Sequence, residues 1–137
     1  MKSLYRCSKP TAVFSIEGKF PGMNEYTKAC RSNYMAGAAM KKEYQSIIEW
    51  SLKKELKGKA ITTPIDVCFF FTEPNKRRDR DNIAGFFHKV FFDAMQAVGA
   101  IPNDGWDEVH TWEDTFEVDK NHPNITVVIY ECVEVDT

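Results

Sequence analysis

The run Ile65–Asp66–Val67–Cys68–Phe69–Phe70–Phe71, followed after a turn by the stretch from Asn82 to Val98, decides the fold class. The first segment is β-branched and aromatic and reads as a strand buried in a sheet. In the second, Ile83, Phe87, Val90, Phe91, Ala94 and Val98 recur at helical spacing, with Gly99 placed as the C-terminal cap. Upstream, Thr11–Glu17 alternates with period two and predicts a first strand ended by Gly18, and Lys19–Asn24 carries a Pro–Gly turn signal. A helix-rich stretch then runs to Leu56, with Met40, Tyr44, Ile47, Ile48 and Leu52 as its apolar stripe and Lys57–Gly58–Lys59 as its stop. Downstream, Ile101–Asp107 reads as a loop, and Glu108–Val118 and Asn124–Val135 as two strands joined by the Asp119–Pro123 turn. The order β-α-β-α-β-β does not reduce to βαβ repeats. The expectation is α+β: a single domain over residues 1–137, with a mixed β-sheet of about four strands and two main helices.

The chain has 137 residues, 43% of them hydrophobic and 13% aromatic, which supplies a full core and excludes disordered, collagen-like and disulfide-scaffold classes. Its longest apolar run, Val67–Phe71, falls far short of the ~20 residues that span a bilayer. Met1–Pro10 has no apolar signal-peptide region, so the expectation is a cytoplasmic protein with no membrane partner. Cys7, Cys30, Cys68 and Cys132 lie 23, 38 and 64 residues apart, with no metal-finger spacing, and suit a reducing compartment. Cys68 and Cys132 fall in strand-like runs and read as small buried apolar groups.

Net charge is −2, but it is unevenly spread. Residues 1–92 hold 17 Lys and Arg against 9 acids, whereas residues 93–137 hold one Lys against 11 acids. The basic part suits a phosphate backbone, and the acidic part suits a metal or simple solubility.

Six of the seven residues in Lys76–Arg77–Arg78–Asp79–Arg80–Asp81–Asn82 are charged, with acids set inside a basic run. In extended backbone Asp79 and Asp81 point the same way, roughly 7 Å apart. A hard divalent cation relieves their repulsion, and the surrounding cations suit phosphates. Metal-assisted phosphodiester cleavage needs this combination. The alternative is structural: Asp81 caps the helix and Asp79 pairs with an arginine. A second acidic group, Asn103–Asp104–Gly105–Trp106–Asp107–Glu108, follows the helix. A straight helix from Asn82 to Val98 is about 25 Å long, which separates Asp104 from Asp79 unless the loop folds back.

Lys76 to Val109 resembles the RusA-like Holliday junction resolvases, especially those of phages and prophages. The elements of resemblance are Arg78–Asp79–Arg80–Asp81–Asn82, then Lys89 with Asp93–Ala94–Met95, Gly99, and Ile101–Val109 with Asp104 and Asp107. Gly18–Asn24 and Phe116–Pro123 are also similar to segments of that family. The resemblance implies a RusA-like fold and a homodimeric crossover-junction endodeoxyribonuclease of DNA recombination and repair. Such an enzyme uses Mg²⁺, with Mn²⁺ as a substitute, to nick four-way branched double-stranded DNA symmetrically. It assigns metal binding and catalysis to Asp79, Asp81 and Asp104, and a catalytic lysine to Lys89. The classical enzymes of that family place that lysine four residues after the second aspartate, where this chain has Gly85. They also carry an aspartate where this chain has Asn103, for which Asp107 is a substitute.

Arg77, Arg78, Arg80 and Lys76, with Lys28 and Arg31 from the first helical region, are expected to hold the DNA arms by backbone contacts. Lys41 and Lys42 are weaker candidates. Phe86, Phe87, Phe91 and Phe92 exceed one buried helix face, which leaves either a subunit contact or a generous monomer core. His88, His110 and His122 have no metal-pair spacing, and Trp106 is expected to pack in the core or loop rather than stack on a base. The rival functions are a flap or fork nuclease and a catalytically degenerate junction-binding protein.

Overall fold

The computed structural model describes residues 1–136, so Thr137, the last residue of the expected domain, lies outside the described residues. Five strands and three helices follow in the order β1 (Lys2–Arg6), β2 (Ala12–Glu17), α1 (Met23–Ser32), α2 (Tyr34–Leu56), β3 (Ile65–Glu73), α3 (Arg80–Ala97), β4 (Val109–Val118) and β5 (Asn124–Asp136). This is the α+β fold with a mixed sheet that the sequence predicts, enlarged by one strand and by a break in the first helix. The break falls at Asn33, which is extended and accepts the Met35 N–H on its side chain at 2.8 Å, starting a new helix.

β3 and β4 run parallel and are joined through α3, and β5 lies antiparallel to β3 on its other side. β1 and β2 both pair with β5, along the edge away from β3. Arg6 faces Cys132 and Ala12 faces Ile129, so the longer chain between Arg6 and Ala12 bulges out before pairing resumes.

The period-two pattern of β3 sorts its side chains. Ile65, Val67, Phe69 and Phe71 join the core cluster, and Phe69 packs its ring against Phe87, Phe91 and Phe92 of α3. Asp66, Cys68 and Phe70 alternate with these and lie outside the core cluster. All three helices therefore serve one face of the sheet. α3 is held between that face and the other two helices, with Tyr26 of α1 and Tyr44 of α2 both on the Phe86 ring. For this reason Phe86, Phe87, Phe91 and Phe92 are all buried within one chain, and the generous monomer core accounts for them. Each such ring contributes about 1.5–3 kcal/mol by its burial.

α3 begins at Arg80, two residues before the sequence expectation, because Asp79 takes the N-cap and accepts the Asn82 N–H at 2.8 Å. It ends at Val98 with Gly99 at φ +76, the left-handed turn that favours glycine. In α2, Ile48 and Leu52 are fully buried, whereas Ile47 of the predicted stripe turns outward. Cys68 and Cys132 are buried as expected. Among the described residues, no helix is long and apolar enough to cross a membrane.

Candidate functional site

The charged run between β3 and α3 folds around one internal ion pair. Glu73, the last residue of β3, is 5% exposed, and Arg78 grips it with two parallel hydrogen bonds of 2.9 Å each. Arg78 also donates to the Phe20 carbonyl at 2.8 Å and approaches Glu25 at 3.4 Å, leaving 12% of its side chain exposed. Arg78 is therefore committed to holding the fold, since a buried carboxylate needs a charged partner and Arg78 is that partner, yet it also lines the cleft at the head of α3.

With Arg78 turned inward, Lys76, Arg77, Asp79, Arg80 and Asp81 remain exposed around the head of α3. A cleft of about 560 Å³ opens there, lined by the Glu73–Arg78 pair, by Lys76, Asp79, Arg80 and Asp81, and across the sheet by Phe116 and Glu117. Asp79 and Asp81 are not both in extended backbone as predicted. Asp79 spends one oxygen on capping, and Asp81 stands in the first helical turn, where the helix dipole favours a negative charge. The structural alternative holds with different residues: Asp79 rather than Asp81 caps the helix, and Glu73 rather than Asp79 pairs with an arginine, Arg78.

The Pro21–Gly22 turn lies against Asn82 of α3. Asn82 accepts the Asn24 N–H at 2.8 Å, so a side chain of α3 caps α1. A Cβ on Gly22 would lie 2.4 Å from the Asn82 amide oxygen, which is why the close approach needs glycine. Lys28 and Arg31 project from α1 and line their own shallow depression with Asn24 and Thr27.

Asp104 is elsewhere. Ile65 pairs with Val109 and Glu73 with Val118, so the loop before β4 lies at the opposite end of the β3–β4 pair from the head of α3. Eight strand steps separate these ends by about 26 Å. Asp104 lines a second cleft of about 510 Å³ with Trp106, His110 and Trp112. Asp79, Asp81 and Asp104 cannot hold one ion within a single chain, which corrects the three-aspartate site as an intrachain set. The reason is the uninterrupted 18-residue α3. Among the described residues, no third carboxylate, His or Cys joins Asp79 and Asp81 in a group whose ligand atoms all lie within 4.8 Å.

Lys89 is exposed on α3 and lines neither cleft, about 12 Å along the helix from Asp81. Gly85, four residues after Asp81, lies against Met23, where a Cβ would meet the Met23 side chain at 3.3 Å. Lys41 pairs with Asp93 at 2.6 Å and ties α2 to α3. Trp106, expected to pack, is 95% exposed.

No protein-family model and no curated protein matches this chain.

Two features escaped the sequence reading. Glu117 joins the first cleft because β4 returns parallel to β3, a pairing that local sequence does not display. The other is a polar group on the back of the sheet. Asp66, 4% exposed, accepts from Arg6 Nε at 3.1 Å and is bonded to His110 Nδ1 at 2.7 Å. Burial pushes the Asp66 carboxyl up, but hydrogen bonds from His110, Arg6 and Cys132 outweigh it and hold the group below the ordinary carboxylate range. An aspartate inside the apolar run 65–71 was the available signal, since a buried acid demands partners.

Proposed function

We propose that this protein is a Mg²⁺-dependent, structure-selective endodeoxyribonuclease of the RusA kind, which resolves four-way DNA junctions in the cytoplasm as a homodimer. The observation that carries this reading is the cleft at the head of α3, where Asp79, Asp81 and Glu117 sit among Lys76 and Arg80. Hard oxygen donors inside a cationic rim suit a divalent cation and a phosphodiester together. Asp79, through its oxygen not used in capping, and Asp81 are the residues that would hold Mg²⁺, or Mn²⁺ in its place. When bound, the ion supplies an activated water and neutralises charge on the scissile phosphate. Arg80 and Lys76 orient the phosphate, while Arg77, Lys28 and Arg31 bind the flanking backbone and carry no sequence preference.

The dimer answers the separation of Asp104. β4 is an edge strand, paired on one side by β3 and open on the other. Antiparallel pairing of two β4 edges about a twofold axis sets the start of one strand beside the end of the other. Asp104 of the partner subunit then approaches Asp79 and Asp81, and each of the two centres draws on both chains. The acids in the middle of β4 are already engaged within the chain: Arg6 neutralises Glu113 at 3.0 Å, and Asp114 is hydrogen-bonded to His88 at 2.7 Å.

The test is cleavage of a labelled four-way junction beside linear duplex and a flap, with Mg²⁺ and with EDTA, using Asp81→Asn as control. Paired symmetric nicks on the junction, lost with EDTA and in the variant, are expected. Equal cutting of the flap moves the reading to a general branched-DNA nuclease. Tight, salt-sensitive binding without cutting moves it to a degenerate junction binder, which the outlying position of Lys89 favours. Mixing inactive Asp81→Asn with inactive Asp104→Asn tests the shared centre. Heterodimers then hold one intact centre and recover single-strand nicking, and no recovery refutes it.

A further inference from the structure

The back of the sheet carries a second set of donors that the nuclease reading does not use. Asp66 of β3, His110 of β4 and Cys132 of β5 each offer one ligand atom, and these atoms all lie within 4.8 Å of one another. We propose that Asp66, His110 and Cys132 form a zinc site whose fourth coordination position opens toward the cleft of Asp104, Trp106 and Trp112.

Four observations support this. First, the donors come from three adjacent strands, and a register shift aims one of them. Ile65 pairs with Val109 but Asp66 with Thr111, so His110 is the unpaired residue of a bulge, and its imidazole turns onto Asp66 Oδ1. Second, one oxygen, one imidazole nitrogen and one sulfur make a donor set for a borderline-soft cation such as Zn²⁺, unlike the all-oxygen set of the first cleft. Third, Arg6 holds the other oxygen of Asp66 at 3.1 Å and is itself held by Glu113 at 3.0 Å. These outer contacts fix the carboxylate with Oδ1 toward the other donors. Asp66, Glu113 and a deprotonated Cys132 then carry three negative charges, which Arg6 and one divalent cation balance in full.

Fourth, the site has an entrance. Asp66 and Cys132 are buried, whereas the His110 side chain is 41% exposed and lines the cleft of about 510 Å³. A cation bound there takes Cys132 as the thiolate and His110 through an unprotonated ring nitrogen, so binding releases protons.

The experiment is a Co²⁺ titration of the full chain followed by absorbance, then displacement by Zn²⁺. One equivalent per chain, with a thiolate-to-cobalt charge-transfer band and the visible bands of a tetrahedral centre, is expected. His110→Ala, at a half-open position, weakens binding by ~10-fold or more with the circular dichroism spectrum unchanged. Cys132→Ser removes the charge-transfer band. Absence of the band in the unaltered protein overturns the proposal. So does full affinity in His110→Ala, or a band that persists in Cys132→Ser and so belongs to another thiol. None of these readouts depends on DNA cleavage.

Discussion

Arg78→Ala discriminates a fold-supporting arginine from a DNA-binding one. The substitution strands Glu73, whose side chain is 7% exposed, as a buried and unpaired charge. Breaking a buried pair from one side costs about 3–5 kcal/mol, far above the energy of an exposed pair. It also removes the donor to the Phe20 carbonyl, which places the loss toward the top of that range. With a urea slope of about 2 kcal/mol per molar for a chain of this size, the unfolding midpoint falls by about 2 M. Arg77→Ala, one residue away and exposed, moves stability by no more than about 0.5 kcal/mol. The double change Glu73→Leu with Arg78→Met recovers most of the loss, because no charge is left uncompensated. The assay is equilibrium urea unfolding followed by circular dichroism. A loss below about 1 kcal/mol for Arg78→Ala at an unchanged slope, with DNA affinity reduced instead, refutes the reasoning.

Asp79→Asn keeps an equally good N-cap, so its thermal unfolding stays within about 0.5 kcal/mol of the unaltered protein while Mg²⁺-dependent cleavage is lost. Asp79→Ala costs about 1 kcal/mol as well, and equal stability of the two variants by calorimetry contradicts the cap. Gly22→Ala drives a methyl into the Asn82 amide and destabilises by about 1–3 kcal/mol. Adding Asn82→Ala relieves the clash, so a double-mutant cycle in urea gives a loss smaller than the sum, and strict additivity argues against the contact. Asp66 is held below its unfolded value, so it stabilises the fold above a pH of about 4, and that contribution disappears as the pH falls through the folded value. Acid titration of stability therefore shows a shallower decline for Asp66→Asn, which starts from a lower stability at neutral pH; parallel curves refute the linkage.

The legible parts of the fold were those with strong local periodicity. β3 and α3 could be read because Ile65 to Phe71 and Ile83 to Val98 are dominated by burial. β1 was missed because Lys2–Arg6 carries two cations in five residues, and its pairing depends on β5, more than 120 residues away. The helix break at Asn33 was hidden by helical spacing on both sides, although an asparagine is a good starting cap. At the candidate site the sequence shows where the charges cluster but not how they divide between the fold and the surface. Arg77 and Arg78 look alike in sequence, and only the buried Glu73 distinguishes them. Asp104 was grouped with Asp79 and Asp81 by the family resemblance alone; the helix length already pointed to their separation, and the uninterrupted α3 keeps them apart within one chain. Asp66, His110 and Cys132 are far apart in the chain and converge only through strand order.

β5 lies in the interior of the sheet, with β3 on one side and β1 and β2 on the other, yet it follows every other element in the chain. During synthesis the N-terminal strands have no partner, and β3 has only β4, until Asn124 and its successors emerge. The first strands must therefore wait while more than 100 further residues are made, a demanding loop closure that slows folding and leaves apolar strand edges open in the interval. A premature stop before Asn124 removes the seam rather than an edge, so such fragments are candidates for proteolysis or aggregation rather than for partial function.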